Sequence, residues 1–186
     1  MIVIGAGAAG MMCAAQAGQR GRRVLLIDHA AQLAEKIRIS GGGRCNFTNL
    51  RVTADNYLSR NPHFVRSALA RYGSREFIEL VDRHRIAWHE REHGQLFCDH
   101  SAQDIIDMLR SECADGGVDW AMPVTVERIE RLPADTTSGA PRFRVHCATG
   151  TACCASLVIA SGGLSIPKIG ASPFGYRIAA QFGLPT

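Results

Sequence analysis

The chain has 186 residues, 46% of them hydrophobic and 20% charged, with a formal net charge of +4; this suits one globular domain, or one with a small second lobe, able to bury a sizeable core. The mild positive charge reads as scattered, with no basic arm or arginine stripe, which argues against a nucleic-acid partner. No apolar run reaches membrane-spanning length, and the N-terminus reads as a strand rather than a signal peptide.

In chain order, Met1 to Ile4 is a short apolar strand that runs into Gly5-x-Gly7-x-x-Gly10 and an alanine-rich helix. A second apolar run, Arg23 to Ile27, ends in Asp28. A strand, a glycine turn, a helix and an acid at the end of the next strand make up the dinucleotide-binding fingerprint. Gly5 allows the tight turn, Gly7 lets backbone approach a pyrophosphate, and Gly10 lets helix and strand pack closely. The helix start offers N–H groups and partial positive charge to an anion.

Residues 29–50 read as a loop-rich stretch holding Ser40-Gly41-Gly42-Gly43-Arg44-Cys45-Asn46. Residues 62–84 have helical periodicity, with starts at Asn61-Pro62 and Ser74. Ile86 to Glu90 and Gln95 to Cys98 read as a hairpin around His93-Gly94. Ser101 starts a helix that stops at Gly116-Gly117, and Val118 to Ala121 is a strand. From Val124 to Cys154 the pattern is a small antiparallel meander, with a turn at Thr136-Thr137-Ser138-Gly139. Leu157 to Ala160 is apolar throughout, as in a buried parallel strand; Gly162-Gly163 follows, and a last helix covers about Phe174 to Phe182. A βαβ unit, helices, a meander and a return to a buried strand predict an α/β fold. A simple NAD domain would continue without a meander, so the order fits better a doubly wound, Rossmann-type FAD-binding domain with a small antiparallel β meander.

The seven cysteines (13, 45, 98, 113, 147, 153 and 154) are odd in number and form no CxxC pair. A reduced, cytoplasmic chain is expected.

Two segments resemble one family. Ile39 to Asn49 is similar to the SGGGRCNxTN signature of BaiN-like NAD(P)/FAD-dependent flavoproteins, often labelled aminoacetone-oxidase-family enzymes. Leu157 to Gly170 is similar to their LVIATGGLSxPxxG segment, and Phe174-Gly175-Tyr176 continues the match. The resemblance spans essentially the whole chain. It implies a glutathione-reductase-like fold with FAD across it. Gly5, Gly7, Ala8, Ala9 and Gly10 would hold the pyrophosphate, and Asp28, with His29 beside it, the adenosine ribose. Lys36 matches a family lysine. Ser40, Gly41, Gly42, Arg44, Cys45 and Asn46 would line the flavin side, and Ala160, Ser161, Gly162 and Gly163 the strand end beside the cofactor. Val124 and Val126 are both candidates for backbone bonds to adenine. Ala34-Glu35 stands where the family often has Gly-Arg. Members run to roughly twice this length, so the resemblance implies a FAD/NAD(P)-binding domain over residues 1–186 lacking an inserted β-rich domain and a returning C-terminal segment.

Arg44 suits a phosphate or a reduced flavin. Cys45 is a candidate redox thiol, with an inert half-buried thiol as the alternative. His89-Glu90-Arg91-Glu92-His93 fits the HExxH pattern, but zinc binding needs both histidines one helical turn apart; on a strand they lie about 13 Å apart, so no metal site is expected. Ser161 and Ser165 lack a GxSxG elbow. The expected function is the FAD-binding part of a flavoprotein oxidoreductase working by hydride transfer, with NADH or NADPH as candidate electron donor and an unidentified small-molecule substrate. One rival is a non-catalytic nucleotide-binding module; a third reading is a flavoprotein acting in RNA modification, as related folds do, against which the scattered charge argues.

Overall fold

The computed structural model describes residues 1–133, 139–166 and 171–186. The expected turn residues Thr136 to Ser138, and Pro167 to Gly170 of the second family-like segment, lie outside them. In chain order the elements are β1 (Ile2–Ile4), α1 (Ala8–Gly18), β2 (Leu25–Ile27), α2 (Glu35–Ile39), β3 (Asn46–Asn49), α3 (Arg66–Arg71) and α4 (Ser74–Arg83). They continue with β4 (Trp88–Glu90), β5 (Gln95–Cys98), α5 (Ala102–Asp115), β6 (Asp119–Ala121), β7 (Val126–Arg131) and β8 (Phe143–Cys147). Last come β9 (Gly150–Cys154), β10 (Leu157–Ile159) and α6 (Phe174–Gln181). The chain folds as two compact units, one formed by Met1–Lys36 with Leu109–Thr186 and the other by Ile37–Met108.

The first unit is the Rossmann-type part. Its sheet is fully parallel in the order β10-β1-β2-β6. β1 is central and buried along its whole length, which explains why it reads as an unbroken apolar run rather than an alternating one. On one side Ile2, Ile4 and Ile27 share a core with Ile129, Val145 and Cys154 of the β7-β8-β9 meander. Met11, Ala14 and Ala15 of α1 are also fully buried. The glycines let α1 and the end of α5 come very close: a Cβ on Gly18 would lie 2.2 Å from the Gly116 carbonyl oxygen.

The second unit holds the antiparallel sheet β3-β5-β4. Phe47 on β3 meets Phe77 of α4 and Trp88 of β4, at ring separations of 6.1 and 6.3 Å. Leu80, Val81, Leu96 and Ile105 are buried. The Glu76 carboxylate accepts the Gly73 N–H at 2.7 Å, closing the first turn of α4. Residues 29–50, expected as loop, in fact contain α2 and β3. The sequence Asn-Phe-Thr-Asn of β3 lacks apolar alternation; the strand exists because it pairs with β5, with a register irregularity between Asn46 and Thr48.

Candidate functional site

The site begins at the C-terminal ends of the parallel strands, where ligands of open α/β sheets bind. After β1 the chain turns at Gly5, whose φ is +108°. A Cβ there would lie 2.4 Å from the Ala160 carbonyl oxygen, and one on Gly10 would lie 1.7 Å from the Gly5 carbonyl oxygen. Both glycines are therefore required by the protein itself. Gly7 differs: a Cβ there would meet no protein atom within 4 Å. Gly7 begins α1 in extended conformation, no side chain caps the helix, and no acid stands in its first turn. Ala8 and Ala9 are exposed. An open, uncapped helix start beside a glycine is an anion cradle.

Asp28, at the end of β2, accepts the Ala6 N–H at 2.5 Å with one carboxylate oxygen and the Ala30 N–H at 2.8 Å with the other. His29 lies beside it, Nδ1 to carboxylate 3.5 Å. Each carboxylate oxygen has two lone pairs, so both can still accept a ribose hydroxyl. The Val124 N–H donates to the Asp28 carbonyl at 2.7 Å. It is thus committed within the protein, which leaves Val126 as the candidate backbone donor to adenine.

These residues line a cleft of about 200 Å³. Ile4, Ile27, Val124 and Val126 give it apolar walls, while Asp28, His29 and Ser161 are among its polar groups. It is smaller than the ~300–1,000 Å³ of a site for a whole drug-sized ligand, so it suits the adenosine end of a dinucleotide. Thr125, Ser172, Phe174 and Arg177 also line it. Sequence reasoning missed these four; the one local signal was that Phe174 and Arg177, three apart, share a face of the last helix.

The wall opposite α1 is the end of β10. The Ala160 N–H donates to the Ile4 carbonyl at 2.7 Å, which fixes Ala160, Ser161, Gly162 and Gly163 beside the glycine turn. The Ser161 hydroxyl is buried and has no hydrogen-bond partner among the described residues. Such a group is costly unless a ligand completes it. Lys36 reaches the same turn and donates to the Gly163 carbonyl at 3.3 Å and the Ser165 hydroxyl at 3.0 Å. In this structure the lysine braces the strand end.

The glycine-rich loop lies in the second unit. Gly41, Gly42 and Gly43 have φ of +58°, +67° and +87°, and Cys45 has φ +50°. A Cβ on Gly41 would lie 2.6 Å from the Phe97 ring, so this glycine lets the loop press on β5. The Cys45 N–H donates to the Ser40 carbonyl at 3.0 Å and the Arg44 N–H to the Gly41 carbonyl at 3.4 Å. Both of these amides are thereby used within the loop. Arg44 and Asn46 are exposed, while Cys45 is buried. Burial pushes the Cys45 thiol up, opposed by a hydrogen bond with Ser40. A buried, protonated thiol is a poor nucleophile. In the HExxH stretch, His89 lies on β4 with Nδ1 2.6 Å from the Asp99 carboxylate, and His93 sits in a turn at φ +61°. The helix that a zinc site of this pattern needs is absent.

The profile of the HI0933-like protein Rossmann domain family matches residues 1–186. The chain belongs to this family. It is 56% identical over 183 residues to a protein of Escherichia coli named ribosomal RNA dihydrouridine synthase, covering 98% of this chain and 44% of that protein. It is 50% identical over 184 residues to the Haemophilus influenzae protein of the same name, covering 99% and 45%. At 24% identity it matches a 3-dehydro-bile acid delta(4,6)-reductase of Clostridium scindens over 97% of this chain and 43% of that protein. The chain thus spans less than half the length of these relatives. Among solved structures it superposes on the THI4 protein of Thermovibrio ammonificans (TM-score 0.57, 13% identity, 99% of this chain and 62% of that one). It also superposes on glycine oxidase of Geobacillus kaustophilus (0.53, 15%, 99% and 58%). The family and the fold match the expected FAD-binding Rossmann domain, and the glycine cradle, Asp28 and the orphaned Ser161 hydroxyl fit that cofactor. The comparisons support the family at the level of the HI0933-like Rossmann domain, and two of the relatives bear a ribosomal RNA-modifying name. Among the described residues no helix is long and apolar enough to cross a membrane.

Proposed function

We propose that this chain is the FAD-binding part of a flavoprotein oxidoreductase that saturates a conjugated ring double bond, with uridine of ribosomal RNA as substrate. The open, uncapped start of α1 at Gly7, with the Asp28 carboxylate bonded to the neighbouring Ala6 N–H, carries the cofactor half of this reading. Gly7, Ala8, Ala9 and Gly10 would receive the pyrophosphate, Asp28 the ribose hydroxyls, Val126 the adenine edge, and Ser161 the cofactor on the β10 side. Arg44 and Asn46, exposed on the glycine-rich loop, are offered as flavin-side groups on their chemistry. Bound FAD would supply a centre that accepts hydride from NADH or NADPH and gives it up again.

The substrate half rests on the relatives' names. Dihydrouridine is uridine with its C5–C6 double bond saturated, and that bond is conjugated to the C4 carbonyl. A 3-dehydro-delta(4,6) bile acid likewise carries a ring ketone conjugated to double bonds. Both names describe adding a hydride and a proton across an activated carbon–carbon double bond. That shared chemistry, with the higher identity to the RNA-named relatives, favours RNA over the small-molecule substrate expected from sequence.

The test uses the full-length protein. It should purify with a flavin absorption band that NADPH or NADH bleaches without oxygen. Ribosomal RNA from a deletion strain should regain dihydrouridine on complementation, read by mass spectrometry of nucleosides. Full-length protein that is colourless and takes up no added FAD would sink the cofactor assignment; equal dihydrouridine in both strains would sink the substrate.

A further inference from the structure

Residues 51–75 carry five arginines (51, 60, 66, 71 and 75) and one acid, Asp55. Their net charge of +4 equals that of the whole chain, so all the other residues together are neutral. The stretch runs from the end of β3 to the start of α4, in the second unit. All five arginines are exposed. Arg75 pairs with Glu76 at 3.0 Å and with Glu79 at 3.7 Å. Arg51, Arg60, Arg66 and Arg71 have no carboxylate partner among the described residues.

The same stretch borders an open groove of about 220 Å³ lined by Phe47, Val52, Tyr57, Leu69, Tyr72 and Phe77. With Thr48, Gly73 and Ser74 the lining residues are nine, four of them aromatic. Arg51 and Arg71 are the chain neighbours of two lining residues, Val52 and Tyr72. Leu58 and Phe64 nearby are 99% and 74% exposed. Unpaired arginines beside aromatic rings in an open groove are what single-stranded nucleic acid requires: phosphates on the guanidinium groups and bases on the ring faces. A protein partner of ordinary composition would not call for four unmatched positive charges.

We propose that this face of the second unit is a docking surface for a single-stranded segment of RNA, with an unstacked base in the aromatic groove and the backbone along Arg51, Arg60, Arg66 and Arg71. The proposal rests on the reading of an RNA substrate above and assigns where that RNA is held.

The experiment follows the anisotropy of a fluorescein-labelled oligouridylate titrated with full-length protein over a range of salt. Replacing Arg51, Arg60, Arg66 and Arg71 together by Gln should weaken binding at least about tenfold at low salt. It should also lower the salt slope by up to about 3, since each phosphate contact on a single strand contributes about 0.7. Tyr57→Ala should weaken binding about fivefold or more through lost stacking. Replacing Arg22, Arg23, Arg83 and Arg131 by Gln removes equal charge elsewhere and should leave affinity within about twofold. All variants should keep their flavin content and its bleaching by NADPH. A cluster variant with wild-type affinity and slope overturns the proposal. So does loss of a wild-type dimer, seen by sedimentation, with oligouridylate affinity unchanged; the face would then join two copies. Dihydrouridine formation on protein-free ribosomal RNA separates the two readings. Arginine-dependent binding without product leaves the surface standing and the substrate reading fallen. Product formed equally by wild type and cluster variant, with equal affinity, does the reverse.

Discussion

The Asp28 carboxylate takes the backbone N–H of Ala6, so the end of β2 holds the glycine turn that follows β1. The acid thought to recognise ribose also shapes the anion cradle. Asp28→Asn would place an amide donor against the Ala6 or Ala30 N–H. A loss of about 1–3 kcal/mol in urea-unfolding stability is expected, together with at least a tenfold loss in FAD affinity by titration. Unchanged stability would mean that the two backbone bonds are dispensable.

Two glycines of one motif should behave in opposite ways. Gly10→Ala drives a Cβ into the Gly5 carbonyl and should destabilise the ligand-free protein by at least about 1–3 kcal/mol, as overpacking does. Gly7→Ala meets only open space, so ligand-free stability should stay within about 0.5 kcal/mol of wild type while FAD binding is lost. Thermal melts with and without FAD separate these outcomes; a Gly7→Ala protein that melts at its usual temperature and still binds FAD would place the pyrophosphate elsewhere.

Ser161→Ala removes a buried hydroxyl that has no partner among the described residues. The ligand-free protein should gain about 1 kcal/mol or more, the cost of an unmet polar group. The rise in Tm caused by FAD should shrink at the same time. A destabilised ligand-free variant would show that the hydroxyl already has a partner.

Burial, with smaller contributions from Cys45, Asp104 and Asp99, pushes the Cys98 thiol up to about 12 from an ordinary value near 9. Its native form holds the proton at pH values where the unfolded chain has released it. Its share of stability is therefore complete below pH 9 and is lost as pH rises from 9 toward 12. Cys98→Ala should flatten the alkaline fall of stability measured by urea unfolding between pH 9 and 11. Native protein at pH 8 should react with a thiol reagent at exposed Cys153 well before Cys98.

The parallel strands, α1 and the glycine cradle were readable because their signals are local: an all-apolar strand, three spaced glycines, an acid at the next strand end. Thr125, Ser172, Phe174 and Arg177 were not, since only the fold carries them from distant segments to the cleft. The Ser40–Asn46 loop was recognised as special, but its amide partners and the press of Gly41 against Phe97 belong to tertiary packing. β3 escaped because pairing, not propensity, makes it a strand. The arginines of residues 51–75 can be counted in the sequence; the fold adds that four of them have no carboxylate partner among the described residues.

β1 lies between β2 and β10, and its partner β10 is encoded near the other end of the chain. During synthesis the first apolar strand must wait, with one edge open, until β10 at Leu157–Ile159 has emerged. Its last neighbour brings Ala160, against which Gly5 is seated. The nucleotide cradle begun at Gly5 is thus completed only by Ala160. Cofactor loading has to wait for β10, and a ribosome stalled before residue 157 would leave a sticky strand edge and no site.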